Sequence, residues 1–241
     1  YQILSRQLRL SMLRAAIYFT PAPDTELAQA AAAWLGRDIF TSPPSSTTDI
    51  SGIEAKRFAE IIASPFHYGF HATIKPPFKL ASGFHLEDVK QYLKNFTQNL
   101  SPFLLPPLQL KFMHDFFCLV PRSQSATLNQ LAAEVVRQFD HFRQPADQDE
   151  IERRRKKGLS GDQDKLLVQW GYPYVMNEFR FHLTLTGRMD DENEKKIIKK
   201  NLDLRFPQSL LDAVHFSNLC LFVERDGKPM VCEACFRLNF L

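Results

Sequence analysis

Eight consecutive residues, Phe179-Arg180-Phe181-His182-Leu183-Thr184-Leu185-Thr186, alternate strictly between apolar and polar side chains. A helix would scatter that apolar set around its axis, whereas a strand gathers it on one face. The segment is therefore read as a half-buried strand closed by Gly187. Phe179, Phe181, Leu183 and Leu185 turn to a core, and Arg180, His182, Thr184 and Thr186 turn away from it.

A shorter series repeats the pattern. In Phe70-His71-Ala72-Thr73-Ile74-Lys75 the face with His71 also carries Thr73 and Lys75, opposite Ala72 and Ile74. Gly69, two residues before His71, leaves room above the imidazole. Each strand thus presents one His, at least one Thr and one cation in line. The flanking elements recur in the same order. A helix over Leu86–Leu100 and a strand or strand pair over Leu108–Val120 follow the first motif. A helix over Asp190–Leu202 and a strand over Val214–Glu224 follow the second. The chain reads as a duplicated unit of α+β class, since the strands and helices lack strict βαβ regularity.

The remaining elements are read from local signals. Leu13–Thr20 is a buried strand stopped by Pro21 and Pro23, and Asp24 caps a helix through Leu35 that Gly36 ends. A Ser/Thr/Pro loop covers 41–52. Ile53–Ala63 is helical and Pro65 ends it; the first motif strand stops at Pro76-Pro77. Leu128–Phe139 is a helix. Met230–Phe240 pairs with Val214–Glu224 as a hairpin around Asp226-Gly227. Residues 1–11 are an extension ahead of Met12, and 12–241 form one bilobal domain. Its lobes lie at approximately 12–140 and 166–241, joined by a charged connection over 141–165. That connection contains Arg153-Arg154-Arg155-Lys156-Lys157, a solvated helix first and a basic flap over an anionic ligand second.

The bulk numbers narrow the function classes. The 241 residues are 44% hydrophobic with 21 Phe against 9 Gly, which describes a packed protein and excludes a disordered or fibrous one. The net charge of +3 falls short of a dedicated nucleic-acid domain but suits an anionic substrate in a local pocket. No apolar run approaches the roughly 18 residues of a membrane span. No long apolar core follows Arg6, Arg9 and Arg14, which argues against a secretory leader. Cys118, Cys220, Cys232 and Cys235 are too few to staple the chain and are expected as reduced thiols, which points to the cytoplasm. Cys232-x-x-Cys235 lacks the second pair that a thiolate zinc site needs.

Paired His-x-Thr strands suit phosphate ester chemistry. Displacement at phosphorus needs nucleophile and leaving group in line, and two imidazoles can serve the two ends as base and acid. Thr hydroxyls can donate to non-bridging oxygens, and Lys75 and Arg180 can balance charge. No metal or other cofactor is required. His67 and His71 have a His-x-x-x-His spacing, but Pro65 and Gly69 argue against the helix that would make it a zinc site. His67 is placed instead beside the motif face, with the substrate. Thr186 extends the polar face of the second strand. Tyr172 and Tyr174 line the ligand cleft or pack in the core. His85, His114, His141 and His215 lack a partner pattern and default to surface or core roles.

The pair His71-Ala72-Thr73-Ile74 and His182-Leu183-Thr184-Leu185 resembles the 2H phosphoesterase superfamily, defined by two His-hydrophobic-Ser/Thr-hydrophobic motifs. Trp34-Leu35-Gly36-Arg37-Asp38, His67-Tyr68-Gly69-Phe70-His71 and Gly171-Tyr172-Pro173-Tyr174 with Phe179-Arg180-Phe181-His182 resemble one bacterial branch of unknown function, labelled as phosphonate metabolism proteins. Ala72 is small for its hydrophobic position. The resemblance runs from about Met12 to the C-terminus. It implies a bilobal fold with pseudo-two-fold symmetry and a cleft between antiparallel sheets, with the two His and two Thr as catalytic residues. Related members hydrolyse 2′,3′-cyclic nucleotide or RNA-end phosphodiesters. The expectation is a metal-independent phosphoesterase acting on a small cyclic phosphodiester, with no obligate protein partner. An RNA-end enzyme and a non-catalytic binder of a phosphorylated metabolite are the alternatives.

Overall fold

The computed structural model describes residues 12–41, 49–156 and 158–239. The proposed extension over 1–11, most of the 41–52 loop, Lys157 and Phe240 lie outside them.

The first strand, β1 (Leu13–Phe19), is followed by two helices, α1 (Glu26–Leu35) and α2 (Ala55–Tyr68), and by β2 (Ala72–Phe78). Then come α3 (Leu86–Thr97), the short β3 (Phe103–Leu104), the hairpin β4 (Leu108–Met113) and β5 (Phe116–Pro121), and α4 (Ala126–Gln138). The charged connection forms α5 (Gln148–Arg155) and α6 (Gly161–Trp170). The chain closes with β6 (Leu183–Thr184), α7 (Glu192–Arg205), α8 (Gln208–Leu211), β7 (His215–Phe216), β8 (Asn218–Arg225) and β9 (Val231–Arg237). The class is α+β with antiparallel sheets.

The strands interleave. One sheet has the order β2-β1-β8-β9, a second β4-β5-β6, and a third pairs β3 with β7. Each sheet therefore takes strands from both halves of the chain. His71 leads into the edge strand of the first sheet, and His182 into the edge strand of the second.

Alternation along β1 sets up two apolar surfaces. Ala15, Ile17 and Phe19 join the main core, where Phe19 stacks on Phe216 at 4.6 Å between ring centroids. Ala16 and Tyr18 face the other way, against Cys220, Phe222 and Met230. His71 packs on this second, smaller surface.

Several boundaries move, each for a local reason. Thr25 rather than Asp24 caps α1, its hydroxyl accepting from the Ala28 amide at 3.2 Å. Pro76 and Pro77 lie inside β2, which is tolerated because β2 is an edge strand and needs donors on one side only. Pro65 does not end α2, which continues to Tyr68. A proline inside a helix frees the carbonyl four residues earlier. Here that carbonyl, on Ile61, accepts from the Gly187 amide at 2.6 Å. The helix leading to the first motif thus docks on the end of the second. Trp34 of α1 adds a stitch, its indole donating to the Leu185 carbonyl at 2.8 Å.

The eight-residue strand expected over 179–186 pairs only at Leu183 and Thr184, opposite Leu119 and Cys118. Beyond that point the ladder changes partners. Leu185 and Thr186 both donate to the Phe117 carbonyl, and the Thr186 hydroxyl, not a backbone carbonyl, accepts from the Phe117 amide at 2.9 Å.

The four cysteines are not all free. Cys220 and Cys235 are joined, because the β8–β9 register sets them directly opposite each other. Cys118 and Cys232 are free thiols. The compartment expectation built on four reduced thiols loses that support. Among the described residues no helix is long and apolar enough to cross a membrane.

Candidate active site

The first imidazole is positioned by the end of α2. Gly69 stops that helix at φ +79° and ψ 170°, a conformation that suits glycine, with its amide bonded to the Pro65 carbonyl at 2.8 Å. A Cβ at Gly69 would lie 2.2 Å from Cγ2 of Ile39. The Gly69 carbonyl then accepts from His71 Nδ1 at 2.8 Å. With the proton on Nδ1, Nε2 carries the lone pair, and it lies 3.1 Å from the Thr73 hydroxyl. The ring lies flat on Tyr18, with centroids 3.8 Å apart and planes at 20°, and is flanked by Tyr68 and Phe222.

The second imidazole is held the same way. His182 Nδ1 donates to the Arg180 carbonyl at 2.8 Å, again two residues back, which leaves Nε2 as the working nitrogen. Phe116 flanks its ring at 5.9 Å. Thr184, half-buried two residues on, makes no side-chain hydrogen bond among the described residues.

The first imidazole feels the second. Burial pushes His71 down to about 4, the Gly69 carbonyl opposes this, and charge on His182 lowers it further. Burial also lowers His182, with the Arg180 carbonyl opposing and His114 adding to the effect. His71 is therefore neutral in the free protein at pH 7, and the two rings share one electrostatic neighbourhood.

Other expected site residues are placed differently. Lys75 does not share the face of His71 and Thr73. The β1–β2 register runs Tyr18 opposite Thr73 and then Ile17 opposite Lys75, so Ile74 is a bulge. One extra residue reverses the alternation. Lys75 is consequently 1% exposed, with its ammonium donating to the Val136 carbonyl at 3.1 Å and to Asp140 at 3.3 Å. It locks β2 to α4, with its ammonium already occupied by these partners. Thr186 is fully buried, and its hydroxyl accepts from the Phe117 amide. Arg180 donates to the Asn177 and Phe179 carbonyls, and its contribution to His182 comes from its backbone.

His67 stands in the last turn of α2, with Nε2 3.0 Å from Glu224, a buried carboxylate that also pairs with Arg14. Tyr172 and Tyr174 meet edge to face at 5.6 Å. Tyr172 acts electrostatically on Tyr18 and feels Tyr68, which places it near the rings around His71. Tyr174 is 45% exposed. Among the described residues, no cluster of three His, Cys, Asp or Glu side chains is arranged to hold a metal ion.

Sequence reasoning missed Tyr18, Tyr68, Phe116 and His114. Tyr18 gave a signal as the one hydroxyl-bearing residue within β1. His114 and Asp115 both adopt positive φ, 48° and 70°, in the tight β4–β5 turn, and nothing in their local sequence forecasts that His114 would approach His182.

Residues 73–231 match the family described as "Protein of unknown function (DUF1045)", and the chain belongs to that family. It is 38% identical over 221 residues to a Janthinobacterium sp. (strain Marseille) protein named Ribose 1,5-bisphosphate phosphokinase PhnN, covering 91% of this chain and 49% of that protein. A Laribacter hongkongensis (strain HLHK9) protein of the same name is 32% identical over 226 residues, covering 94% and 50%. The chain thus spans about half the length of these relatives. Among solved structures, one described as a phosphoesterase superposes over 95% of this chain and 99% of its own, with TM-score 0.44 and 13% identity. E. coli LigT complexed with ATP covers the same shares with TM-score 0.42 and 11% identity. Superpositions this loose carry no functional weight.

Proposed function

We propose that this protein is a metal-independent phosphoesterase of the 2H type that opens a cyclic phosphodiester on a small nucleotide or sugar phosphate. The observation that carries this reading is the matched tethering of His71 and His182. Each ring gives its Nδ1 proton to the carbonyl two residues back and presents Nε2 beside a Thr-bearing strand. Tethering fixes the tautomer and orientation, as general acid–base work requires. A plain anion site would favour guanidinium and ammonium groups.

In the proposed reaction His71, neutral at pH 7, takes a proton from water as the water oxygen attacks phosphorus. One P–O ester bond breaks, and protonated His182 gives its proton to the departing alkoxide. The product is a phosphomonoester with a free hydroxyl. An anionic diester beside His182 favours its protonated form, which offsets the burial that depresses it in the free protein. Thr73 and Thr184 donate to the non-bridging oxygens.

The relatives' name supports a phosphorylated pentose as the substrate family and a link to phosphonate metabolism. Kinase activity is not carried over. That name belongs to proteins about twice this length, and this chain contains no G-x-x-x-x-G-K-[ST] phosphate loop. The test is turnover by purified, chelator-treated protein of a panel of 2′,3′-cyclic nucleotides and cyclic ribose phosphates. Ring opening that chelator leaves unchanged is expected. Activity lost on chelation and restored by zinc or manganese would sink the metal-free mechanism, and binding without turnover would favour the non-catalytic alternative.

A further inference from the structure

Helix α5 carries a basic end, Arg153 to Lys156, that the proposed reaction does not use. Three of these residues differ in their surroundings. The Arg153 side chain is 74% exposed, and Arg155 is tied bidentately to Asp164 of α6 at 2.7 and 2.9 Å. Arg154 alone of the three turns inward, with 22% of its side chain exposed. Its guanidinium carbon lies 5.2 Å from the centre of the Tyr172 ring, and one Nη2 bond reaches Glu150 at 2.9 Å. Its Nε is buried and has no hydrogen-bond partner among the described residues.

A buried guanidinium donor without an acceptor is costly. Helix-end charge compensation does not explain it, since that needs only solvated side chains such as Arg153. The location supplies a reason. Tyr172 sits under Arg154 and within electrostatic reach of Tyr18 and Tyr68, the rings that pack around His71. The orphan donor therefore belongs to a side chain stacked on a tyrosine within electrostatic reach of the rings around His71.

We propose that Arg154 is a specificity residue that takes a second anionic group of the substrate, a terminal phosphomonoester, while His71 and His182 act on the cyclic diester. A phosphomonoester offers three acceptor oxygens and nearly two negative charges, enough to compete with the single Glu150 carboxylate for Arg154 and to engage its unpartnered Nε. The assignment rests on the phosphoesterase reading for its reaction but not for its binding step.

Two measurements separate the two. In the first, kcat/KM is compared for a nucleoside 2′,3′-cyclic phosphate and for the same compound carrying a 5′-phosphate, on the intact protein, Arg154→Ala and the exposed control Arg153→Ala. In the second, binding of AMP and of adenosine is measured by calorimetry on the same three proteins, with no turnover needed. Arg154→Ala should lose roughly tenfold to a hundredfold on the 5′-phosphorylated substrate and on AMP, the range of a charge-assisted hydrogen bond. The unphosphorylated compounds should be unaffected, and Arg153→Ala should behave as the intact protein does. Equal loss on both substrates, or AMP binding that ignores Arg154, overturns the subsite whatever the turnover. AMP binding that depends on Arg154 in a protein that opens no cyclic ester would keep the subsite and discard the phosphoesterase reading.

Discussion

Gly69→Ala is the substitution that tests most directly how the first imidazole is held. The native backbone at this position, φ +79° and ψ 170°, lies in a region almost reserved for glycine. Forcing alanine into it costs on the order of 1–3 kcal/mol. The new methyl would also lie 2.2 Å from Cγ2 of Ile39, well inside contact distance. Relieving such an overlap costs about 1–3 kcal/mol more. The sum, roughly 2–6 kcal/mol, is a large part of a typical domain's stability. The chain would escape part of the cost by rotating the Gly69 peptide, which withdraws the carbonyl from His71 Nδ1. Urea denaturation should therefore show a lowered midpoint, and the folded fraction should show a fall in kcat larger than any change in KM. Ile39→Ala in the same chain should restore part of the stability, since it removes the overlap but not the backbone strain. Gly69→Ala with an unchanged midpoint and unchanged kcat would refute both the conformational assignment and the tethering it supports.

Other expectations follow from the same geometry. His71→Ala and His182→Ala should each lower turnover by roughly 10²–10⁴, and the double variant should add far less than the product if both rings serve one transition state. Single variants with full activity would make the motif pair structural. Folding stability should depend on His71 protonation. Its folded pKa of about 4 lies below the ordinary value of 6.5, so its contribution is fully present above about 6.5 and is lost as pH falls through about 4. Denaturation midpoints measured from pH 7.5 down to 4 should decline for the intact protein and less steeply for His71→Gln; parallel curves would contradict the assignment. Lys75→Met should alter the denaturation midpoint through lost bonds to Val136 and Asp140, while KM for any verified substrate stays unchanged. A selective rise in KM would return Lys75 to the substrate.

Local patterning determined much of the chain. The period-two series over 179–186 fixed which face of that segment is buried, because four large apolar side chains cannot all be left in water: Phe179, Phe181, Leu183 and Leu185 are all core residues. The Asp226-Gly227 turn was legible for a similar reason, since few residue pairs accept the φ values of 55° and 71° found there. The α+β class and the two His-x-Thr segments could also be read directly. What the sequence could not disclose depends on partners distant along the chain. The bulge at Ile74, visible only from the register with β1, sends Lys75 into the core and leaves His71 and Thr73 on the other face. Pro65 looked like a helix stop because its missing donor is a local fact. The donor that absorbs the cost by satisfying the freed Ile61 carbonyl, the Gly187 amide, lies more than a hundred residues away. The tertiary structure likewise decided that Tyr18 stacks on His71, that Cys220 meets Cys235, and that Arg154 turns inward while Arg153 stays in water. Alternation tells a side chain which face to take, but only the packed sheets and helices decide what waits on that face.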